Sequence, residues 1–278
     1  MVICLIILTL IVLFSVAFHH YKIKKQKTLQ AQGLINISHI KRLISLIQSH
    51  RGLSSALLNG DNSKQAPLQA LEQQVEIEVL SLKDQIAIQE TSRWSGFIDH
   101  WSRLNKQDSQ RDSENSFKQH TQLISNLLYL LEDEAERSHL NATCLAKLQA
   151  IGFVWRELVV TTEIIGQSRA IGTGVATSKT CSSVHKIRLS FLQQHIQITM
   201  NETLAKLSSL EAFSEKHSEL LSIAKSKMEF FSNTIENELI KAKPITINQD
   251  EYFALATDSI KALDDIFDHQ IQQIQETI

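Results

Sequence analysis

Two arginines stand in settings where a cation could do chemistry. The first lies in Ile47-Gln48-Ser49-His50-Arg51-Gly52-Leu53-Ser54 and the second in Glu163-Ile164-Ile165-Gly166-Gln167-Ser168-Arg169-Ala170-Ile171-Gly172. Each guanidinium sits beside small residues: Gly52, Ser54 and Ser55 in one segment, Gly166, Ala170 and Gly172 in the other. On a packed helix such residues admit a second backbone, which would put the arginine between helices rather than in solvent. A buried guanidinium needs an anion, because an uncompensated charge is costly to desolvate. Capture of a small anion is therefore the chemistry expected of this pair. Taken singly, each arginine also reads as a side chain snorkelling along a helix surface.

Other constellations carry less. Residues 173–180, Thr-Gly-Val-Ala-Thr-Ser-Lys-Thr, end like a phosphate loop, but Thr173 and Ser178 occupy the places of its two framing glycines and no strand precedes them. Eleven histidines invite a metal hypothesis, with His19, His20 and His100 the first to consider, yet no His-Glu-x-x-His motif or recurring Glu-x-x-His pair supports it. His217, between Lys216 and Glu219, reads as solvated surface. Cys4, Cys144 and Cys181 form neither a Cys-x-x-Cys pair nor a disulfide framework. Trp94, Trp101 and Trp155 read as core. We expect no catalytic residue, no metal and no cofactor.

The elements that must position the arginines are helices. Only 8 glycines and 2 prolines punctuate 278 residues, and both prolines, Pro67 and Pro244, stand where a helical pattern restarts. From Leu29 the apolar residues Leu34, Ile37, Ile40, Ile44 and Ile47 recur at three or four residues, forming a stripe that continues to Leu58, where Asn59-Gly60-Asp61 ends the helix. A second helix opens at Pro67 with Leu71, Val75, Val79, Leu82 and Ile86 on its buried side, and Trp94, Phe97, Ile98 and Trp101 extend the pattern. Residues 106–116 read as a loop; helices resume near Phe117, with Leu123, Leu127, Leu130 and Leu131 inward.

Another helix is expected from about Leu140, through Leu145, Leu148, Ile151, Val154 and Leu158, running past Arg169 until Gly172 and Gly174 break it. Val184, Ile187, Phe191 and Ile198 mark the next; segments 210–239 and 252–274 complete the set. Seven or so helices make either one elongated bundle or two four-helix bundles, and we expect an all-α elongated bundle of two stacked four-helix bundles sharing long helices. Residues 29–278 would form this one unit. The 28 basic and 30 acidic residues are mixed along the chain, so nucleic acid is not an expected partner.

Ahead of that unit, Val2 to Phe18 is almost wholly apolar, near the length a bilayer-spanning helix requires. A secretory signal peptide competes with an anchor, but no basic segment precedes the run and no clear small-x-small site follows it. We expect residues 1–20 to be a transmembrane anchor and 21–28 a basic juxtamembrane segment. His19, His20, Lys22, Lys24, Lys25 and Lys27 follow the run, so the positive-inside rule predicts a single-pass inner-membrane protein with its helical domain in the cytoplasm.

Leu43-Ile44-Ser45-Leu46-Ile47-Gln48-Ser49-His50-Arg51-Gly52-Leu53-Ser54-Ser55 resembles the L-I-x-x-L-Q-x-E-R-G-L-S-A segment of the nitrate- and nitrite-sensing, or NIT, domain. Glu163 to Gly172 resembles the E-x-x-x-x-E-R-A-x-G segment of the same family, and Tyr252 to Leu263 its closing aromatic, T-x-x-I-x-x-L pattern. The likeness extends over most of residues 35–271 and rests on the order and spacing of degenerate motifs. It implies an all-helical sensory module that binds nitrate or nitrite through Arg51 and Arg169. The chemistry suits nitrate, a planar anion with three acceptor oxygens facing guanidinium forks.

The chain departs from the pattern at His50, which replaces a glutamate, and at Gln167-Ser168, near which an acidic residue is usual. Asp264 and Asp265 stand late in the last helix, which leaves His50 and Lys261 as accessory candidates. With no output module following the bundle, a separate signalling protein is the expected partner, and pairing of two copies a natural readout. The rival expectation is a membrane-anchored helical adaptor or structural protein that binds no small molecule.

Overall fold

A computed structural model describes residues 2–106, 112–210 and 215–278, with side chains from residue 6 onward and excluding those of residues 209 and 210. The chain is all-α, with no strand among the described residues. Its helices are α1 (Val2–Leu58), α2 (Gln65–Ser81), the short α3 (Ile86–Gln89), α4 (Ser92–Leu104), α5 (Ser113–Arg137), the short α6 (Ile151–Phe153), α7 (Val159–Ser178), α8 (Ser183–Leu210), α9 (Glu215–Thr234) and α10 (Gln249–Thr277). Two π-helical segments, Val154–Leu158 and Ile235–Ile240, lead into α7 and out of α9.

Helix α1 is continuous for 57 residues, so the apolar N-terminal run, the basic segment and the first bundle helix are one rod with no break near residue 20 or 28. Residues 6–29 are exposed, and burial begins at Gln30. Among the described residues this is the one helix long and apolar enough to cross a membrane. Beyond it the expected stripe is in place: Leu34, Ile37, Ile40, Ile44 and Ile47 are all buried. The rod stops where Gly60 takes φ +97°, a left-handed conformation that glycine adopts without a Cβ clash.

The helices pack as two sets of four. In the first, α1 lies against α2 and α5, and α4 against α5; in the second, α7 lies against α8 and α10, and α9 against α8 and α10. The sets meet where α1 and α5 touch α7, so a seam joins them in place of the shared long helices expected. Several boundaries follow local chemistry. Asp112 accepts from the Asn115 amide at 2.6 Å and starts α5 four residues before the helix expected at Phe117. Asn248 caps α10 in the same way. Of the loop expected over 106–116, residues 107–111 lie outside the described residues and 113–116 belong to α5.

Other expectations give way to packing. Ile86 is exposed, because the turn at Leu82 to Gln85 interrupts the face and hands burial to Ile88. Residues 139–150 are turns, not a helix: His139 takes φ +55°, its carbonyl accepts from Gln30, and the Leu140 carbonyl accepts from the Trp155 indole. Leu140, Leu145 and Leu148 are buried there all the same. Pro244 lies at a bend in the linker after a cis peptide bond, several residues short of α10. Helix α8 forms where Val184, Ile187, Phe191 and Ile198 marked it, and these four residues are exposed while Leu189, Leu192 and Ile196 are buried.

Glycines 172 and 174 do not break α7, which runs through them to Ser178. A Cβ on Gly172 would fall 2.3 Å from the Tyr252 ring, so this glycine admits α10. His217, expected at the surface, is 1% exposed, and its Nε2 donates to the Leu207 carbonyl.

Candidate functional site

Arg51 reaches the seam from α1, and Arg169 stands on α7, three residues after Gly166. Gln48 and Arg51 are three residues apart, hence on one face of α1, and continue the stripe through Ile44 and Ile47. On α7 the facing positions are Glu163, Gly166 and Gln167. A Cβ on Gly166 would lie 3.0 Å from Arg51 Nη2, so the glycine makes room for the guanidinium. Gly52, by contrast, faces open space.

Arg51 is 1% exposed and forks onto Glu163, donating from Nη1 to Oε1 at 2.6 Å and from Nη2 to Oε2 at 3.2 Å. Nη1 also reaches Thr121 Oγ1, and the guanidinium lies 5.2 Å over the Phe117 ring. Gln48 donates to Glu163 Oε2 at 3.0 Å and Gln167 to Oε1 at 2.9 Å. Glu163 thus accepts four hydrogen bonds, and it is the counter-anion that the burial of Arg51 demanded. Arg51 Nε is buried without an acceptor among the described residues.

Arg169 leaves α7 on the side of α10. It is half-buried, donates to Thr257 Oγ1 at 3.0 Å and stacks 4.7 Å over the Phe253 ring. Among the described residues no carboxylate lies within ion-pair distance. Burial pushes its pKa down to about 10, the like charge of Arg51 acts in the same direction, and Glu163 partly opposes both. Arg169 therefore stays protonated at neutral pH, a cation held beside a second cation.

The accessory candidates lie elsewhere. His120 Nδ1 donates to the Ser116 carbonyl at 2.7 Å, so its Nε2 accepts from His50 Nδ1 at 2.7 Å, and His50 Nε2 stands 3.5 Å from Glu72. That buried imidazole pair faces α5 and Trp101, with the His50 and Trp101 ring centroids 5.0 Å apart. Lys261 is exposed and pairs with Asp265 on its own helix, while Asp264 receives Lys41 at 2.6 Å. Asp264 and Asp265 are thus each paired with a lysine. Sequence reasoning gave no role to Glu163, Gln48, Thr257 or Phe253; the spacing of Glu163, Gly166 and Gln167 on one face was its available signal.

Residues 173–180 end α7, and Lys179 donates to the Ile247 carbonyl at 2.7 Å, so no phosphate loop forms. Among the described residues no group of three or more His, Cys, Asp or Glu could hold a metal. A cleft between the end of α9 and the start of α10, lined by Phe230, Asn237, Glu238, Ile247 and Glu251, contains neither arginine.

Comparison with known proteins agrees with this frame. The solved structure described as "Structure of the NasR transcription antiterminator" superposes with a TM-score of 0.72 at 15% identity, covering 96% of this chain and 74% of that one. At that identity the likeness shows the fold. No curated protein matches the chain. The family described as nitrate and nitrite sensing matches residues 42–275, which include both arginine segments and all of α2 to α9. The chain belongs to the nitrate- and nitrite-sensing (NIT) family, whose domain is a sensory module and typically non-catalytic.

Proposed function

We propose that the chain is a membrane-anchored signal-input protein that binds nitrate or nitrite between Arg51 and Arg169, changing the packing of α1, α7 and α10 when occupied. The observation that carries this reading is Arg169, a half-buried cation beside Arg51 with no carboxylate of its own among the described residues. Arg51 Nε, buried and unpaired, supplies a second donor with nothing to receive it. A small oxyanion between the two would give Arg51 Nε an acceptor, a lack that polar burial penalises by about 1–3 kcal/mol, and would bring Arg169 a counter-charge.

Coupling follows from closure. Arg51 is sealed in the seam, so an anion reaches it only as α1, α7 and α10 adjust, and the difference in affinity between the two arrangements is the signal. The uncovered apolar residues of α1 support an anchor, and the lysines after them support a cytoplasmic domain. Pairing of two copies is a natural readout of such a change in packing.

The test is thermal unfolding of the full chain in detergent with nitrate, nitrite or chloride at equal ionic strength, for the wild type and Arg169→Gln. A ligand at a hundred times its Kd stabilises the folded state by about 2.7 kcal/mol. We expect a midpoint rise specific to nitrate or nitrite and lost in the variant. Identical midpoints in all three anions would overturn the reading and leave the adaptor.

A further inference from the structure

We propose that Glu163 sets the valence of the anion accepted at the arginine pair, restricting the site to singly charged oxyanions. The inference rests on the reading of the site given above.

Glu163 is held by Arg51 Nη1, Arg51 Nη2, Gln48 Nε2 and Gln167 Nε2, at 2.6, 3.2, 3.0 and 2.9 Å. A carboxylate with four donors has no gain in leaving, so its charge stays in the seam whether or not an anion is bound. Arg169 follows Gly166, against which Arg51 Nη2 lies, by three residues on α7, so the two arginines bring two positive charges to one region and Glu163 one negative, leaving one unit of positive charge. A monovalent anion neutralises it. A divalent anion would leave a net negative charge beside a fixed carboxylate in a partly desolvated seam, where water screens it less than in bulk.

Discrimination by charge is separable from discrimination by shape. Nitrate and perchlorate share a charge and differ in shape, whereas perchlorate and sulfate share a tetrahedral shape and differ in charge. The experiment measures affinities of nitrate, perchlorate and sulfate for the full chain in detergent at constant ionic strength, using the wild type, Glu163→Gln and Thr257→Lys. The glutamine keeps the shape and two hydrogen-bonding ends of Glu163. The lysine adds a charge beside Arg169 on the partly exposed face of α10 without touching the buried fork.

In the wild type, nitrate and perchlorate outrank sulfate. In each variant the ratio of sulfate to perchlorate affinity rises about tenfold or more, the scale expected when one charge changes in a partly desolvated seam of effective dielectric ~20. Should Glu163→Gln fail to fold, Thr257→Lys decides alone. A ratio unmoved in the folded variants overturns the inference while nitrate binding stands. A wild-type protein that binds none of the three anions overturns the functional reading and this inference with it.

Discussion

Replacing Arg51 by methionine removes the guanidinium, and with it the contact over the Phe117 ring, while keeping an unbranched apolar side chain. Glu163, 4% exposed at its side chain, then keeps only the amides of Gln48 and Gln167 as direct donors. Breaking a buried ion pair from one side costs about 3–5 kcal/mol, because the surviving charge remains desolvated. At about 2–4 °C per kcal/mol for a domain of this size, the midpoint drops by roughly 6–20 °C. The assay is urea and thermal unfolding of the full chain in detergent, followed by helical circular dichroism. The double variant Arg51→Met with Glu163→Met is the decisive partner, since well-packed apolar groups replace a buried pair at nearly neutral cost. It is expected to recover most of the loss, a coupling of at least ~2 kcal/mol. A single variant costing under ~1 kcal/mol, or a double variant no more stable than the single, would refute the claim that this fork is buried and mutually dependent.

Gly172→Ala is expected to cost about 1–3 kcal/mol, because its Cβ meets a Tyr252 ring that is fully buried and anchored by its hydroxyl to the Ser168 carbonyl. Gly174→Ala, with nothing within 4 Å of the added carbon, is neutral or stabilising in the same unfolding experiment. Acid sensitivity follows from His269, whose pKa is lowered by burial first, then by His217 and Lys216, with Glu276 opposing. The unfolded imidazole takes its proton near pH 6.5 while the folded one still refuses it, so stability is present above that pH and falls as pH drops below it. Midpoints scanned from about pH 7.5 to 5 should decline less steeply in His269→Gln; parallel slopes would remove His269 as the cause.

How much was legible varied with how local the signal was. The stripe from Leu34 to Ile47 read correctly because one face of α1 is apolar and the other polar. Gly60 was legible because a left-handed turn selects glycine whatever surrounds it. The buried face of α8 was not: Val184, Ile187, Phe191 and Ile198 keep helical spacing as well as Leu189, Leu192 and Ile196 do, and only contact with α7 and α9 chooses the buried set. Gly172 resembled a breaker because a glycine that ends a helix and one that admits a tyrosine ring look alike in one dimension. His217 lies between charged neighbours in sequence and is buried through contacts with residues distant in the chain.

By itself the sequence determined an all-helical chain, an apolar first segment and two arginines set among small residues, because periodicity, residue size and charge act over a few positions. The tertiary structure decided what each arginine meets. Arg51 and Glu163 are 112 residues apart, and Arg169 and Thr257 are 88 apart. No local rule states that a carboxylate on α7 will close on one guanidinium and leave the other uncompensated. That asymmetry is a property of how α1, α7 and α10 pack, and it is the ground on which an anion is proposed to bind at the seam.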